Sequence, residues 1–311
     1  MTLTQTSVRR AFCIGCVLSL MISMWFLTSN FLHFTNKERY RFYSHARDKM
    51  QVVRDINSTS FRIWKKDSPT SPCYKYETRF AKGLKPVWLI SFPGSGNTWI
   101  RYLLEGATGI FTGSIYNDEY ILRAGYLGEF EDSASGRTLV QKTHETVLDF
   151  NLSSIILIRN PKKAIESFWN FLIMRKTGNP HVSRGSPFRF QKQEFHWFVN
   201  HKIVKWETLI IDHLLLSTVS PHIVYYENLK ENTLFEIRRI LEYLGLPIDE
   251  GRMQCLQSHL TGSFKRKGSE IPDPFTEKEN STFAVAVSSV RRIIKAFGYP
   301  EPPFYDGIDV L

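Results

Sequence analysis

Val87–Phe92 (VWLISF) runs straight into Pro93-Gly94-Ser95-Gly96-Asn97-Thr98-Trp99, and the reading of this junction decides the fold. The first part is a short apolar, β-prone run of the kind that forms a strand buried on both faces. Helical spacing begins at about Thr98 and continues to Gly106. Between strand and helix, two glycines permit backbone torsions closed to other residues, so successive N–H groups can turn inward. With the positive end of the following helix they form a cradle for a phosphate. A plain strand-to-helix turn without a ligand is the competing reading. The pattern GxxxxGK[ST] of nucleoside triphosphate sites is not met, because no Lys follows the second glycine. That argues against phosphoryl transfer from ATP.

Three further β-rich runs follow: Thr138–Thr143 (TLVQKT), Ser154–Arg159 (SIILIR) and His222–Glu227 (HIVYYE). Pro161 stands at a first helical position ahead of AIESFWNFLIMRK, and a helix is expected over Glu231–Leu244. Apolar strands alternating with helices predict an α/β fold, with a mostly parallel sheet covered by helices on both faces. Ligands of such sheets bind beyond the carboxyl ends of the strands. The polar motifs fall at those ends.

Lys142-Thr143-His144 closes the second run. A histidine beside a lysine provides a base for an acceptor hydroxyl and a cation for charge developing on oxygen. Arg159 leaves the third run, and Ser167 follows it by eight residues, two turns into the next helix. An arginine fork and a hydroxyl suit a phosphate. Tyr225-Tyr226-Glu227-Asn228 marks the fourth strand exit, and Phe264-Lys265-Arg266-Lys267-Gly268 is a short basic cluster. Each has a bland counterpart, namely a packed histidine, a surface arginine or a solvated charged face.

The chain has 311 residues, 42% apolar and 23% charged, an ordinary globular balance that excludes disordered and low-complexity classes. Its net charge is +10, and only Arg9 and Arg10 fall within residues 1–34, so the excess belongs to the folded part and favours an anionic ligand. No Cys/His spacing resembles a zinc site, so no metal is expected.

Ala11–Leu27 carries no charge, and only Thr28, Ser29, Asn30 and His33 dilute the next turn or two. At about 1.5 Å per residue this tract crosses a thin bilayer of roughly 27 Å. It is long for a signal-peptide core, so residues 11–34 read as an uncleaved membrane anchor after a cytoplasmic tail, 1–10. Positive-inside counting opposes a lumenal domain, because Lys37, Arg39, Arg41 and Arg47 lie just beyond the anchor. Sequons at Asn57, Asn151 and Asn280 favour it, and the lumenal orientation is preferred. Residues 35–84 read as a stem and 85–311 as the folded domain. Cys73 and Cys255 are an even pair outside the anchor; one disulfide and two buried thiols remain equally open.

Taken in order, these motifs resemble the sulfotransferase family. Pro93, Ser95, Gly96, Thr98 and Trp99 match its PKSGTTW loop, with Gly94 in place of Lys and Asn97 in place of Thr. The resemblance implies a P-loop-like sulfotransferase fold using 3′-phosphoadenosine 5′-phosphosulfate. Residues 93–99 would hold its 5′ end, with Trp99 against the adenine. It further implies His144 as base, Lys142 on the sulfuryl group, Arg159 and Ser167 on the 3′-phosphate, Tyr226 near the adenine, and Lys265–Gly268 closing over the 3′-phosphate. FPGSGNTWIR, EGATGIFTGSIYND, QKTHE, LIRNPKKA and GSFKRKG resemble the WSC-domain-containing (WSCD) sulfotransferases, Golgi type II membrane proteins. The chain reads as a short member without the Cys-rich WSC modules. Expected partners are the Golgi membrane and a glycan acceptor, a sialic acid hydroxyl by resemblance; no nucleic acid is expected, and the sequence does not address oligomeric state. Residues 110–136 and 176–200 are the expected acceptor loops. The alternative reading is a donor- or glycan-binding membrane protein of the same fold without transfer, motivated by Gly94.

Overall fold

The computed structural model describes residues 53–146, 149–175, 187–262 and 273–309. The tail and anchor expected at 1–34, and the cluster Lys265, Arg266, Lys267 and Gly268, lie outside the described residues. Among the described residues no helix is long and apolar enough to cross a membrane.

A five-stranded sheet forms the centre. Its strands, in chain order, are β1 Val87–Ser91, β2 Gly113–Ser114, β3 Gln141–Thr143, β4 Ser153–Ile158 and β5 His222–Tyr225. They lie in the order β2-β3-β1-β4-β5, and every neighbouring pair is parallel. The helices are α1 Asn97–Thr108, α2 Glu119–Arg123, α3 Pro161–Met174, α4 Gln193–Leu216, α5 Tyr226–Glu231, α6 Thr233–Leu244, α7 Glu250–Ser258 and α8 Glu277–Ala296.

Strand alternation builds two cores from one sheet. Ile90, Ile156 and Ile158 point to one face, where they meet Ile165, Phe195, Trp206 and Phe283 of α3, α4 and α8. Leu89, Ile155 and Leu157 point to the other, against Ile100, Leu103, Ile237 and Leu256 of α1, α6 and α7. Fully burying such a side chain contributes about 1.5–3 kcal/mol, which is why a continuous apolar strand run is stable only when covered on both sides. Asn160 caps α3 by accepting from the Lys162 and Lys163 amides, and Pro161 occupies its first turn.

Three expectations change. The fourth run ends its ladder at Tyr225, so Tyr226 belongs to the first turn of α5, and Asn232 separates α5 from α6 where one helix was expected. The second run narrows to 141–143. Leu139 donates instead to Phe111 (2.8 Å), and Val140 accepts from Gly113 (2.7 Å). The described part of the stem folds as part of the domain. Val53–Arg54 pairs with Ala81–Lys82 and Phe61–Arg62 with Glu77–Thr78. Trp64, Cys73, Ala81 and Leu84 are buried in the α1/α6/α7 core. A disulfide joins Cys73 to Cys255 of α7 across 182 residues of sequence, with 5.5 Å between Cα atoms. Asn57 and Asn151 are exposed, whereas Asn280 sits in the first turn of α8 with its side-chain oxygen buried.

Candidate functional site

Parallel strands place all their carboxyl ends on one edge, so four exits converge: the loop after β1, His144 after β3, Arg159 after β4 and Tyr226 after β5. β1 lies between β3 and β4, with the chain departing to opposite sides, which is where such sheets open a crevice.

The loop after β1 turns through left-handed torsions at Gly94 (φ 83°) and Gly96 (φ 97°). Gly96 precedes α1, and no side chain caps that helix, which leaves its positive end facing the crevice. Both glycines are also required by contact. A Cβ on Gly94 would lie 2.3 Å from the Ala164 carbonyl oxygen, 3.0 Å from the Phe168 nitrogen and 3.2 Å from Ser167 Cβ. A Cβ on Gly96 would lie 2.7 Å from the Tyr226 ring. The loop is thus clasped between α3, which brings Ser167, and α5, which brings Tyr226. Trp99 meets Tyr226 edge-on at 5.7 Å and donates its indole N–H to the Leu260 carbonyl (2.7 Å). Arg159 lies over the Tyr226 ring (4.3 Å) and donates to the Gly94 carbonyl (2.7 Å).

His144 stands on the other side of β1. The parallel register sets Thr143 beside Ile90, so His144 reaches Ser91. Its Nδ1 is 2.7 Å from the Ser91 carbonyl oxygen. A carbonyl only accepts, so Nδ1 carries the proton and Nε2 keeps its lone pair. Burial, and then the neighbouring Lys142 charge, lower the imidazole pKa to about 3, which holds the ring neutral. Lys142 is itself buried, with its ammonium 5.2 Å from the Tyr116 ring centre. Burial, followed by repulsion from Arg101, lowers its pKa to about 8.

The sequence-predicted residues Pro93–Trp99, Lys142, His144, Arg159, Ser167 and Tyr226 therefore assemble at one edge. Two residues of this edge escape sequence reasoning. Tyr116 accepts from the His144 amide (2.8 Å) and lays its ring against the imidazole at 5.3 Å. Ser91 is the second, on β1. Tyr116 falls inside the expected acceptor loop 110–136, but no spacing rule connects it to His144.

The edge fits an anionic ligand on its own chemistry. Ser95 Oγ and Arg159 Nε, both donors, are buried without a hydrogen-bond partner among the described residues. Ser95 lies in the loop before α1 and Arg159 at the exit of β4, so each leaves a donor for a phosphate at its own part of the edge. Among the described residues, one His/Cys/Asp group elsewhere has metal-ligand proximity, Asp67, Cys73 and His259, but Cys73 is committed to its disulfide and His259 to Asp67 (2.9 Å).

Comparison with known proteins agrees. A model of the sulfotransferase domain matches residues 84–269. WSCD family member CG9164 of Drosophila melanogaster is 38% identical over 223 residues, covering 69% of this chain and 67% of that protein. WSCD family member GA21586 of Drosophila pseudoobscura pseudoobscura is 39% identical over 197 residues, 61% of this chain and 60% of that protein. WSCD family member AAEL009094 of Aedes aegypti is 33% identical over 225 residues, 67% and 68% of the two. Among solved structures, mouse sulfotransferase SULT7A1 complexed with PAP is 17% identical with a TM-score of 0.46, covering 67% of this chain and 84% of that one. The sulfotransferase domain from the Curacin biosynthetic pathway is 16% identical with a TM-score of 0.40, covering 71% and 100%. The chain belongs to the sulfotransferase family and is a WSCD-like sulfotransferase.

Proposed function

We propose that this enzyme transfers a sulfuryl group from 3′-phosphoadenosine 5′-phosphosulfate to a hydroxyl of a glycan, a sialic acid residue being the favoured acceptor, with His144 as general base. The observation that carries the reading is the shared sheet edge. Unpartnered buried anion donors, Ser95 Oγ and Arg159 Nε, lie on one side of β1, and a neutral imidazole with Nε2 free lies on the other.

The donor is a co-substrate that supplies the sulfuryl group. His144 Nε2 takes the proton of the acceptor hydroxyl as the hydroxyl oxygen bonds to sulfur. The bond from sulfur to the 5′-phosphate oxygen breaks with its electron pair on that oxygen, and adenosine 3′,5′-bisphosphate leaves. Lys142 and the amides at the start of α1 offset the growing negative charge. Arg159 and Ser167 hold the 3′-phosphate, and Trp99 and Tyr226 flank the adenine. A pKa of about 3 makes a weak base. The donor's negative charges oppose the Lys142 effect and raise it toward the useful range.

The same reading places the protein in the Golgi membrane, anchored by residues 11–34 with the domain in the lumen. The Cys73–Cys255 disulfide supports an oxidising compartment, and the exposed Asn57 and Asn151 sequons support glycosylation there. Treatment of the cell-expressed protein with an N-glycosidase checks this, since an unchanged mobility counts against it.

The deciding experiment incubates full-length protein with radiolabelled donor and sialylated, neutral and glycosaminoglycan acceptors. His144→Ala should abolish transfer and still bind adenosine 3′,5′-bisphosphate. A wild type that binds this nucleotide but labels no acceptor is a binding protein, and the assignment fails.

A further inference from the structure

We propose that Asn97 is a positioning residue for the base, acting through Ser91, and that its side chain is not a ligand of the donor phosphate. This rests on the reading of His144 given above. Asn97 opens α1 and is 5% exposed. Its amide nitrogen donates to Ser91 Oγ (3.0 Å) and faces the Leu89 carbonyl at 3.5 Å. Since a carbonyl oxygen can only accept, the NH₂ end must be the one turned toward β1. The other end, Oδ1, is buried without a hydrogen-bond partner among the described residues. An amide oxygen has no proton to give, so it cannot bond an ionised phosphate. Thr at this position would offer a hydroxyl donor; Asn with its donors turned inward does not.

What the inward amide touches is the support of the base. Ser91 presents two oxygens to His144 Nδ1, the carbonyl at 2.7 Å and Oγ at 3.3 Å. The Asn97 amide fixes the Ser91 hydroxyl in the rotamer that places Oγ there. The carbonyl selects the Nδ1–H tautomer, and the hydroxyl held by Asn97 adds a second contact that fixes the orientation of the ring and turns Nε2 toward the acceptor. Tyr116 holds the His144 backbone by accepting from its amide (2.8 Å). The first turn of the donor-binding helix and the imidazole thus share one rigid support, and a donor seated on α1 is registered against the base without touching it. A neutral ring in the right tautomer is still a poor base when its Nε2 is not held toward the acceptor hydroxyl.

The test uses full-length protein and the variants Asn97→Thr, Asn97→Ala and Ser91→Ala. Three quantities are read: the Kd of adenosine 3′,5′-bisphosphate by calorimetry, kcat at saturating donor, and the order of the His144 ring by ¹⁵N NMR relaxation of histidine-labelled protein. The expected pattern is a kcat roughly 10-fold or more lower, a nucleotide Kd within about 3-fold of wild type, and a His144 ring signal broadened by exchange in all three, with the tautomer kept by the Ser91 carbonyl. Loss of affinity in step with kcat in the Asn97 variants makes Asn97 a phosphate ligand and overturns the proposal. A His144 ring as well ordered in Ser91→Ala as in the wild type overturns it as well. The ring signal needs no turnover, so it tests the Asn97–Ser91–His144 link even if the wild type transfers to no acceptor, the result that would instead defeat the proposed activity.

Discussion

Gly94 lies so close to Ala164 that a Cβ on it would sit 2.3 Å from the Ala164 carbonyl oxygen. The lysine that the related loop pattern carries there has no room, because the backbone of α3 occupies its place. The glycine is therefore the condition for bringing Ser167 against the phosphate loop, and the local cation is Arg159, bonded to the Gly94 carbonyl. Gly94→Lys should not improve catalysis. A left-handed φ of 83° and a clash with rigid backbone should cost about 3 kcal/mol of stability and most donor affinity. Urea unfolding and nucleotide calorimetry check this. A stable, more active Gly94→Lys would show that α3 can yield.

The pH dependence of catalysis is set by the two groups at the end of β3. With a free-enzyme pKa of about 8, Lys142 loses its charge above that pH, and kcat/KM for the donor should fall there with unit slope. Bound phosphates favour the ammonium, so the corresponding limb in kcat should lie at higher pH. In kcat/KM for the donor, which reports the free enzyme, His144, lowered to about 3, should produce no acid limb between pH 5 and 8, whereas in kcat the donor-raised pKa brings that limb to higher pH. Rate measurements from pH 5 to 10 decide it. An inflection near 6.5 in kcat/KM for the donor would mean that the free-enzyme imidazole is solvated.

Much of this architecture is legible locally. VWLISF followed by two glycines marks a strand and a phosphate-type turn, and Asn160-Pro161 marks a helix start, because each depends on neighbours in sequence. Gly113–Ser114 escapes notice because a two-residue strand has no period to detect. Residues 53–84 read as a stem because their burial is supplied from elsewhere: Trp64 and Cys73 pack beside Leu104, Met253 and Cys255. Tyr116 and Ser91 join the site through tertiary contacts to His144. Gly94 is visible as a departure, but its cause lies in α3, which the sequence does not place.

The Cys73–Cys255 disulfide ties that N-terminal segment to α7, a single cross-link closing most of the domain. In a chain-entropy model a loop of this length contributes up to about 5 kcal/mol. Cys73→Ser with Cys255→Ser should lower the unfolding free energy by several kcal/mol, and reducing agent should do the same to the wild type. Melts that are insensitive to reductant would show that packing around Trp64 alone holds the segment.

Behind Lys142 lies a buried charged network whose titration acts on stability. Arg101 donates to Glu129 (2.6 Å) and to Thr112 Oγ1 (2.8 Å), and Glu105 accepts from the Thr112 amide (2.9 Å). Burial raises the Glu105 pKa to about 7, against the pull of Arg101 and Thr112. The folded state therefore keeps a proton that the unfolded chain releases above its ordinary carboxylate pKa. Where the native state binds more protons, stability falls as pH rises. The loss should begin near pH 4.5 and level off above pH 7, amounting to roughly 3 kcal/mol at most. Other groups titrate in the same window, so Glu105→Gln is the comparison that isolates it. Unfolding free energies at pH 5.5 and pH 8 should differ less in the variant than in the wild type, by up to that amount. Equal differences in the two proteins would mean that Glu105 is ionised in the folded state and that Arg101 neutralises two carboxylates, in which case Lys142 would feel a less positive neighbour and its alkaline limb would move to higher pH.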